Sequence, residues 1–419
     1  MRWSTLGQVM ATLRANKLRS FLSMFGITWG VLSLILLTAT GEGFRIAQHE
    51  NFRKLGQDIL IIWGGRTSRQ YEGFQAGRWI PLRREDAEIL KREARLLKAV
   101  SPELIRSDLV ARTNLNYGTF SVRGVLPEYQ PMRTIEVAHG RLINQADCDQ
   151  ARPVCVIGSE VNRQLFDGKV SVGETVRIAG HPFTVIGLMP PKELNNNYWG
   201  QDHSSIFIPY PTMRRLFPNP DPNLSPDWVN NLIAAPLRHE LYDAAEKEVR
   251  RILGRHRFFD PEDEDALAIW NTGRSVEMMD IMMGSLQIFL GVVGLVTLTL
   301  GALGVLNIML VAVRERIAEI GVRRAVGARR RDILGQFLLE SLFISGLAGG
   351  TGLLIGLGLC FLINQLPVQS VAFAGTIVSP WIAGGAALAL AVVATGAAVY
   401  PAWVAAQMDP VEALRFEPN

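Results

Sequence analysis

The sequence predicts an integral membrane protein with four transmembrane α-helices, one before and three after a large α+β extracytoplasmic domain. Two observations carry this. First, Ser20–Gly41, Ile281–Val313 and Ser341–Met408 contain no Asp, Glu, Lys or Arg. An apolar run of about 18 or more residues without charge reads as a span, because in lipid every backbone polar group must be satisfied within a helix. Second, the stretch between the first two runs changes to charged helical patterns and β-branched runs bounded by Gly or Pro.

The elements follow in order. In residues 1–19, Trp3, Leu6, Met10 and Leu13 recur at helical spacing ahead of Lys17 and Arg19, which predicts an interfacial amphipathic helix. A cleaved signal peptide is the competing reading, but "TATGEG" is a poor cleavage site after the first span, 20–41. The domain at 42–280 shows strand signals at 58–64, 119–125, 153–158, 174–180, 182–189 and 204–210. Amphipathic helical patterns fall at about 84–98, 159–166 and 240–254, and Asn/Pro-rich loops at 190–202 and 217–228. The second run, 281–313, would reach roughly 50 Å as a helix, longer than the ~30 Å hydrocarbon core, so it should tilt or project as a stalk. A short charged segment, 314–332, follows. Pro367 and Pro380 divide the last run into a third span at 333–363, a loop at 364–379 and a fourth span at 380–401, leaving a tail at 402–419.

Arginine and lysine set the orientation. The first span is preceded by Arg14, Lys17 and Arg19, and 314–331 carries seven arginines, whereas 364–379 carries no Lys or Arg. Both termini and the arginine-rich turn are therefore expected in the cytoplasm.

Several chemistries find no support. The formal net charge of +4 gives no reason to expect nucleic acid. There is no phosphate-binding G-x-x-x-x-G-K-[ST], no H-E-x-x-H, no C-x-x-C and no G-x-S-x-G, so no catalytic, cofactor or metal residue is assigned and no enzyme activity is expected of this chain. Cys148 and Cys155 are close in sequence and form either a disulfide or two free thiols. Gly346, Gly350, Gly352 and Gly356 lie four apart in two pairs, the spacing of close helix approach, either at a dimer seam or against spans of the same copy. Glu340, the one Asp, Glu, Lys or Arg between Ile333 and Met408, is expected near the headgroups or facing the arginine-rich turn.

Four strings together resemble the MacB/FtsX-type ABC transporter permeases: "LRANKLRSFLSMFGITWGV" (13–31), "GSEVNRQLFDG" with "VGETVRIAGHPFTVIGLM", "EIGVRRAVGARRRDILGQFLLES" (319–341) and "YPAWVAAQMDPVEALRFE" (400–417). The resemblance covers nearly the whole chain, and the third string is its most specific piece. It implies a bacterial inner-membrane permease, working as a homodimer or with a second permease, whose partner ATPase holds the ATP and Mg2+. It also implies a MacB-like periplasmic core split into an outer part (44–115 and 230–275) and an insert (116–229). A periplasmic adaptor is a further expected partner. Unlike MacB, this sequence shows no fused ATPase domain, so the ATPase is expected on a separate chain.

On that resemblance, 314–331 is expected to form a cytoplasmic coupling helix that docks in a groove of the ATPase. Glu315, Arg316, Glu319 and Arg323 share helix faces, Arg324 adds charge, Ile317, Ile320 and Val326 supply an apolar side, and Gly327 with Ala328 ends the helix. A plain basic anchor on anionic membrane lipid is the competing reading, which the interleaved Glu and Ile disfavour. The expected function is efflux or extraction of an amphiphile such as an antibiotic, peptide or lipoprotein, driven by movement of the outer domain. The alternative is an FtsX-like signalling subunit that activates a periplasmic cell-wall hydrolase.

Overall fold

The computed structural model describes residues 17–56, 58–169, 171–191, 198–219, 221–366 and 373–409, with backbone alone at 17–20, 22 and 23. The expected interfacial helix up to residue 16 and the tail from 410 lie outside the described residues. The chain runs α1 (Lys17–Leu55), β1 (Leu60–Gly64), α2 (Arg84–Glu93), β2 (Leu97–Arg112), β3 (Tyr117–Val125), α3 (Tyr129–Met132), β4 (His139–Gly140), α4 (Gln145–Asp149) and β5 (Val154–Ile157). It continues through α5 (Ser159–Phe166), β6 (Thr175–Ile178), β7 (His181–Leu188), β8 (Ser205–Pro209), α6 (Tyr210–Leu216), β9 (Asn231–Pro236), α7 (Tyr242–Arg257) and β10 (Leu267–Asn271). The last helices are α8 (Thr272–Glu315), α9 (Ile317–Ala325), α10 (Arg330–Gln365) and α11 (Pro380–Gln407).

Four of these helices are long and apolar enough to cross a membrane: α1 over Met24–Leu55, α8, α10 and α11. The first three extend past their uncharged runs into charged residues. In α1 the reason is local: beyond Gly41 no proline intervenes, and the pairs Glu42–Arg45 and Glu50–Arg53 at i,i+3 support further turns. The chain divides into two compact units, residues 1–47 with 281–419, and residues 48–280.

In the helical unit, Ile27, Val31 and Ile35 of α1 share one core with Leu298, Val305 and Met309 of α8 and Phe337 and Ala348 of α10. Thr28 Oγ1 donates to Ala348 O at 2.9 Å. Large apolar side chains such as Leu354, Trp381 and Leu388 face outward, the inverse of a water-soluble surface. The segment after the third span folds back onto this core: Ile377 N donates to Ala39 O at 3.0 Å and Thr376 Oγ1 to Cys360 O at 3.0 Å.

In the α+β unit, ten strands form one sheet in the order β10-β1-β9-β2-β3-β8-β5-β7-β4, with β6 pairing β2 and β7. Pairing is antiparallel except for β3–β8 and β5–β7. Strand residues alternate between faces. In β1, Leu60 and Ile62 pack with Leu90 of α2 and Leu253 of α7, while Ile61 on the opposite face joins Tyr129 and Phe207. This two-sided burial explains why β1 reads as an unbroken apolar run. A further core holds Val122, Cys155, Ile157, Leu165, Ile206 and Met213.

One sequence expectation is corrected. The helical pattern at 84–98 stops at Glu93, and Leu97 opens β2. Ala94 is extended, and the Glu248 carboxylate accepts from the backbone N–H of Arg95 and Leu96 at 3.0 and 2.9 Å, turning the chain into the sheet. The first half of β2 pairs with β9, Leu97 lying opposite Pro236 far along the chain, so local periodicity does not reveal that partner.

Candidate functional site: the arginine-rich turn

The turn between the second and third spans is built by two chain breaks. At Arg316, φ −108° and ψ 15° interrupt the helix after Glu315. The short helix α9 then ends on Gly327, at φ +101°. Gly327 N donates to Arg324 O at 3.1 Å and Ala328 N to Arg323 O at 3.0 Å, the paired bonds of a Schellman motif. The left-handed position is open to Gly without a Cβ penalty. Asp332 then caps α10, accepting from Arg329 N at 3.0 Å near the positive end of the helix dipole. The single coupling helix expected over 314–331 is therefore only Ile317–Ala325, and Glu315 belongs to α8.

Its inner face is fastened to the third span. Arg316 Nη1 meets Glu340 Oε2 at 3.2 Å, with the Glu340 side chain only 6% exposed. Arg323 Nη1 donates to Gln336 Oε1 at 2.8 Å and pairs with Glu319 one turn back. Ile320 is 1% exposed and packs in the same core as Ile333 and Phe337. The expectation that Ile320 faces a partner is thus corrected: burying an isoleucine against the chain's own spans removes more apolar surface from water than holding it outward. The apolar groups presented outward are Val322, 51% exposed, and Val326, 83% exposed, flanked by exposed Ala318, Glu319, Ala325 and Arg329. Val322 lies four residues before Val326 and so shares its helix face; that this face looks outward is set by the burial of Ile320, which the sequence alone does not show.

The glycine pairs separate by role. A Cβ on Gly352 would lie 2.6 Å from Thr28 O, so this glycine lets α10 approach α1 within one copy, whereas one on Gly356 would meet Ile35 at an ordinary 3.6 Å. Gly346 and Gly350 meet nothing within 4 Å among the described residues. Cys148 and Cys155 are both buried free thiols. Cys155 on β5 shares a core with Ile157, whereas Cys148 belongs to the core of Val156, on the other face of the sheet. Burial pushes the Cys148 thiol up to about 11 and Cys155 higher still. Titration of denatured, unreduced protein with a thiol reagent should therefore count three thiols, and native protein few or none; a count of one would establish the bridge.

A second constellation, inside the α+β unit, gave no sequence signal. Glu103, Arg123, Arg133 and Asp202 have side chains that are 0% exposed. Glu103 accepts from Tyr129 Oη at 2.7 Å, Tyr198 Oη at 2.9 Å and Asn231 Nδ2 at 2.8 Å, and meets Arg123 at 3.4 Å. Asp202 meets Arg133 at 3.0 Å and Arg123 at 3.7 Å. Arg133 Nη1 also donates to Leu55 O at 2.8 Å, capping the last carbonyl of α1 with positive charge. Burial, and next the Glu103 carboxylate, raise the Tyr129 hydroxyl above its usual range, which keeps it a donor. The network joins β2, β3, β9, the 198–202 segment and the end of α1 in one set of charged hydrogen bonds.

Comparison with known proteins fits this architecture. Residues 20–252 match the family model of the MacB-like periplasmic core domain, and residues 291–410 that of the FtsX-like permease C-terminal region. The chain is 33% identical over 414 residues to the macrolide export ATP-binding/permease protein MacB of Bdellovibrio bacteriovorus, covering 98% of this chain and 61% of that protein. It is 32% identical over 410 residues to the MacB of Hyphomonas neptunium, covering 97% and 60%. The chain thus spans about three fifths of the length of these curated relatives. Among solved structures, the periplasmic region of MacB from Actinobacillus actinomycetemcomitans aligns with TM-score 0.42 and 18% identity, covering 55% of this chain and 96% of that one. With a periplasmic-core match over more than half its length and an FtsX-like match over its last three spans, the chain belongs to the MacB-like ABC transporter permeases.

Proposed function

We propose that this chain transmits the work of an ABC ATPase across the bacterial inner membrane, with both termini and the arginine-rich turn in the cytoplasm. The ATPase binds ATP and Mg2+ and docks on the outward face of α9. Its cycle moves the extracytoplasmic unit, and the complex exports or extracts an amphiphile, of which the macrolides named for the relatives are one class. The active form is a dimer of permeases, homodimeric or with a second permease, joined by a periplasmic adaptor where the substrate must cross the outer membrane. The observation that carries this reading is an exposed valine pair, Val322 and Val326, on a short helix fastened to the third span by Arg316–Glu340 and Arg323–Gln336. A plain lipid anchor needs no such fastening. The relatives matched over nearly the whole chain are exporters by name, so a hydrolase-activating signalling role is not favoured.

Because Glu319 and Arg323 pair with each other, a charge swap discriminates docking from helix stability. Glu319→Arg with Arg323→Glu keeps an opposite-charge pair, and the Gln336 carboxamide can turn its Nε2 to donate to the new carboxylate, while the charges offered to a partner are inverted. In proteoliposomes holding the permease and its ATPase, the swap is expected to lower permease-stimulated ATP hydrolysis several-fold and weaken co-purification. Unchanged stimulation and co-purification would remove docking on α9.

A further inference from the structure

The segment after α6 forms one wall of an open cavity on the α+β unit. Its volume is about 370 Å3, and Leu104, Met213, Phe217, Leu224, Trp228 and Asn230 are among the residues that line it. Cavities of ~300–1,000 Å3 with mostly apolar walls and a few placed polar groups are the usual form of small-molecule sites.

The cavity is held open before any ligand arrives. Pro218, Pro222 and Pro226 fix φ along its wall. Turn bonds run from Leu224 N to Asp221 O at 3.2 Å and from Trp228 N to Ser225 O at 2.9 Å, and Arg84 N reaches Asp227 O at 2.8 Å. Arg106 Nη1 donates to Pro218 O at 2.9 Å. The floor strand β2 has a register shift between Arg106 and Leu109, a bulge of the kind that re-aims side chains beside sites.

The charges around it are already matched. Arg106 pairs with Asp108 at 2.6 Å, and Arg214 pairs with Asp227. Asp221 accepts from the backbone and side chain of Asn223 at 2.9 and 3.0 Å. No lining arginine is left to attract an anion. Two polar handles are defined among the described residues: Asn230 Oδ1 accepts from Ile105 N at 2.7 Å and Asn219 Oδ1 from Asp221 N at 3.1 Å, which fixes both carboxamides, and the buried Asn219 Nδ2 has no partner there.

We propose that this cavity binds an uncharged, ring-bearing molecule that carries a carbonyl or ether acceptor. Its rings displace water from the walls formed by Leu104, Phe217, Leu224 and Trp228, and its acceptor takes a hydrogen bond from Asn219 Nδ2 or Asn230 Nδ2. The site goes beyond the coupling reading and stands without it, since neither the turn nor an ATPase enters the evidence for it.

Benzophenone, a neutral two-ring ketone that crosslinks to nearby C–H bonds under near-ultraviolet light, is a direct probe. The full chain in lipid nanodiscs is irradiated with it, and adducts are mapped by peptide mass spectrometry. Adducts are expected on Leu224, Trp228 and the rest of 221–228, with 4-benzoylbenzoate, the anionic counterpart, labelling the same peptides at least about tenfold less. Leu224→Trp, which fills the cavity, should lower the benzophenone yield there about tenfold while the Cys155 thiol stays protected. If Leu224→Trp exposes Cys155, Ser225→Trp at the mouth takes its place. Labelling that ignores the filling variant, that the anion matches, or that is confined to the spans would overturn the proposal.

Discussion

Arg133→Met is expected to destabilise the α+β unit by about 3–5 kcal/mol, the cost of removing one partner from a buried ion pair. Arg133 has a fully buried side chain and serves two acceptors at once, Asp202 at 3.0 Å and the terminal carbonyl of α1 at 2.8 Å. Its loss leaves that carbonyl without its charged donor and Asp202 with a longer contact to Arg123, 3.7 Å. For a unit of this size, such a loss lowers Tm by about 6–20 °C. The protected Cys155 supplies a readout specific to this unit: its rate of labelling by a fluorogenic maleimide on heating should rise at the lower temperature. The double variant Arg133→Met with Asp202→Asn should be less destabilised than the two single changes summed, because it no longer buries an uncompensated charge. As a contrast, Arg163→Met breaks an exposed pair with Glu160 and should leave Tm unchanged. Equal Tm for Arg133→Met and wild type would show that the network does not bear on stability.

What could be read from the sequence, and what could not, follows from the range of the forces involved. Spans are recognised because burial in lipid demands charge-free runs, a local property of composition. Most strands of the core announced themselves through β-branched runs between Gly and Pro, as at 153–158 and 182–189. The buried network did not, because Glu103, Arg123, Arg133 and Asp202 look like ordinary surface charges until β2, β3 and the 198–202 segment meet. For the same reason β2 looked helical near Leu97: its partner there is Pro236 on β9, distant in the chain. The arginine-rich turn was half legible. Its glycine stop and its glutamate–arginine pairing follow from local rules. Which apolar residues face outward depends on the rotation of α9, and Ile320 takes the inward place while Val322 is left outside.

Glu340→Ala is expected to separate docking from transmission. The Arg316–Glu340 bridge, at 3.2 Å with side chains 21% and 6% exposed, joins the start of α9 to the body of the third span. A hydrogen bond between charged groups in such surroundings contributes about 1.5–3 kcal/mol. If the bridge holds α9 rigid against α10, its loss should reduce permease-stimulated ATP hydrolysis about tenfold or more. The outward face is untouched by this change, so the ATPase should still co-purify. Val326→Asp should do the reverse: it places a charge on the most exposed apolar residue of the turn, 83% exposed, and is expected to abolish co-purification while leaving the bridge in place. Glu340→Gln retains the shape and an acceptor for Arg316, so its stimulation should fall between wild type and Glu340→Ala. The decisive comparison is therefore a pair of numbers for each variant, ATPase retained and ATPase stimulated. Loss of both together in Glu340→Ala would mean that the bridge merely shapes the docking face; full stimulation in Glu340→Ala would mean that force reaches the spans by another route, with Arg323–Gln336 the next contact to break.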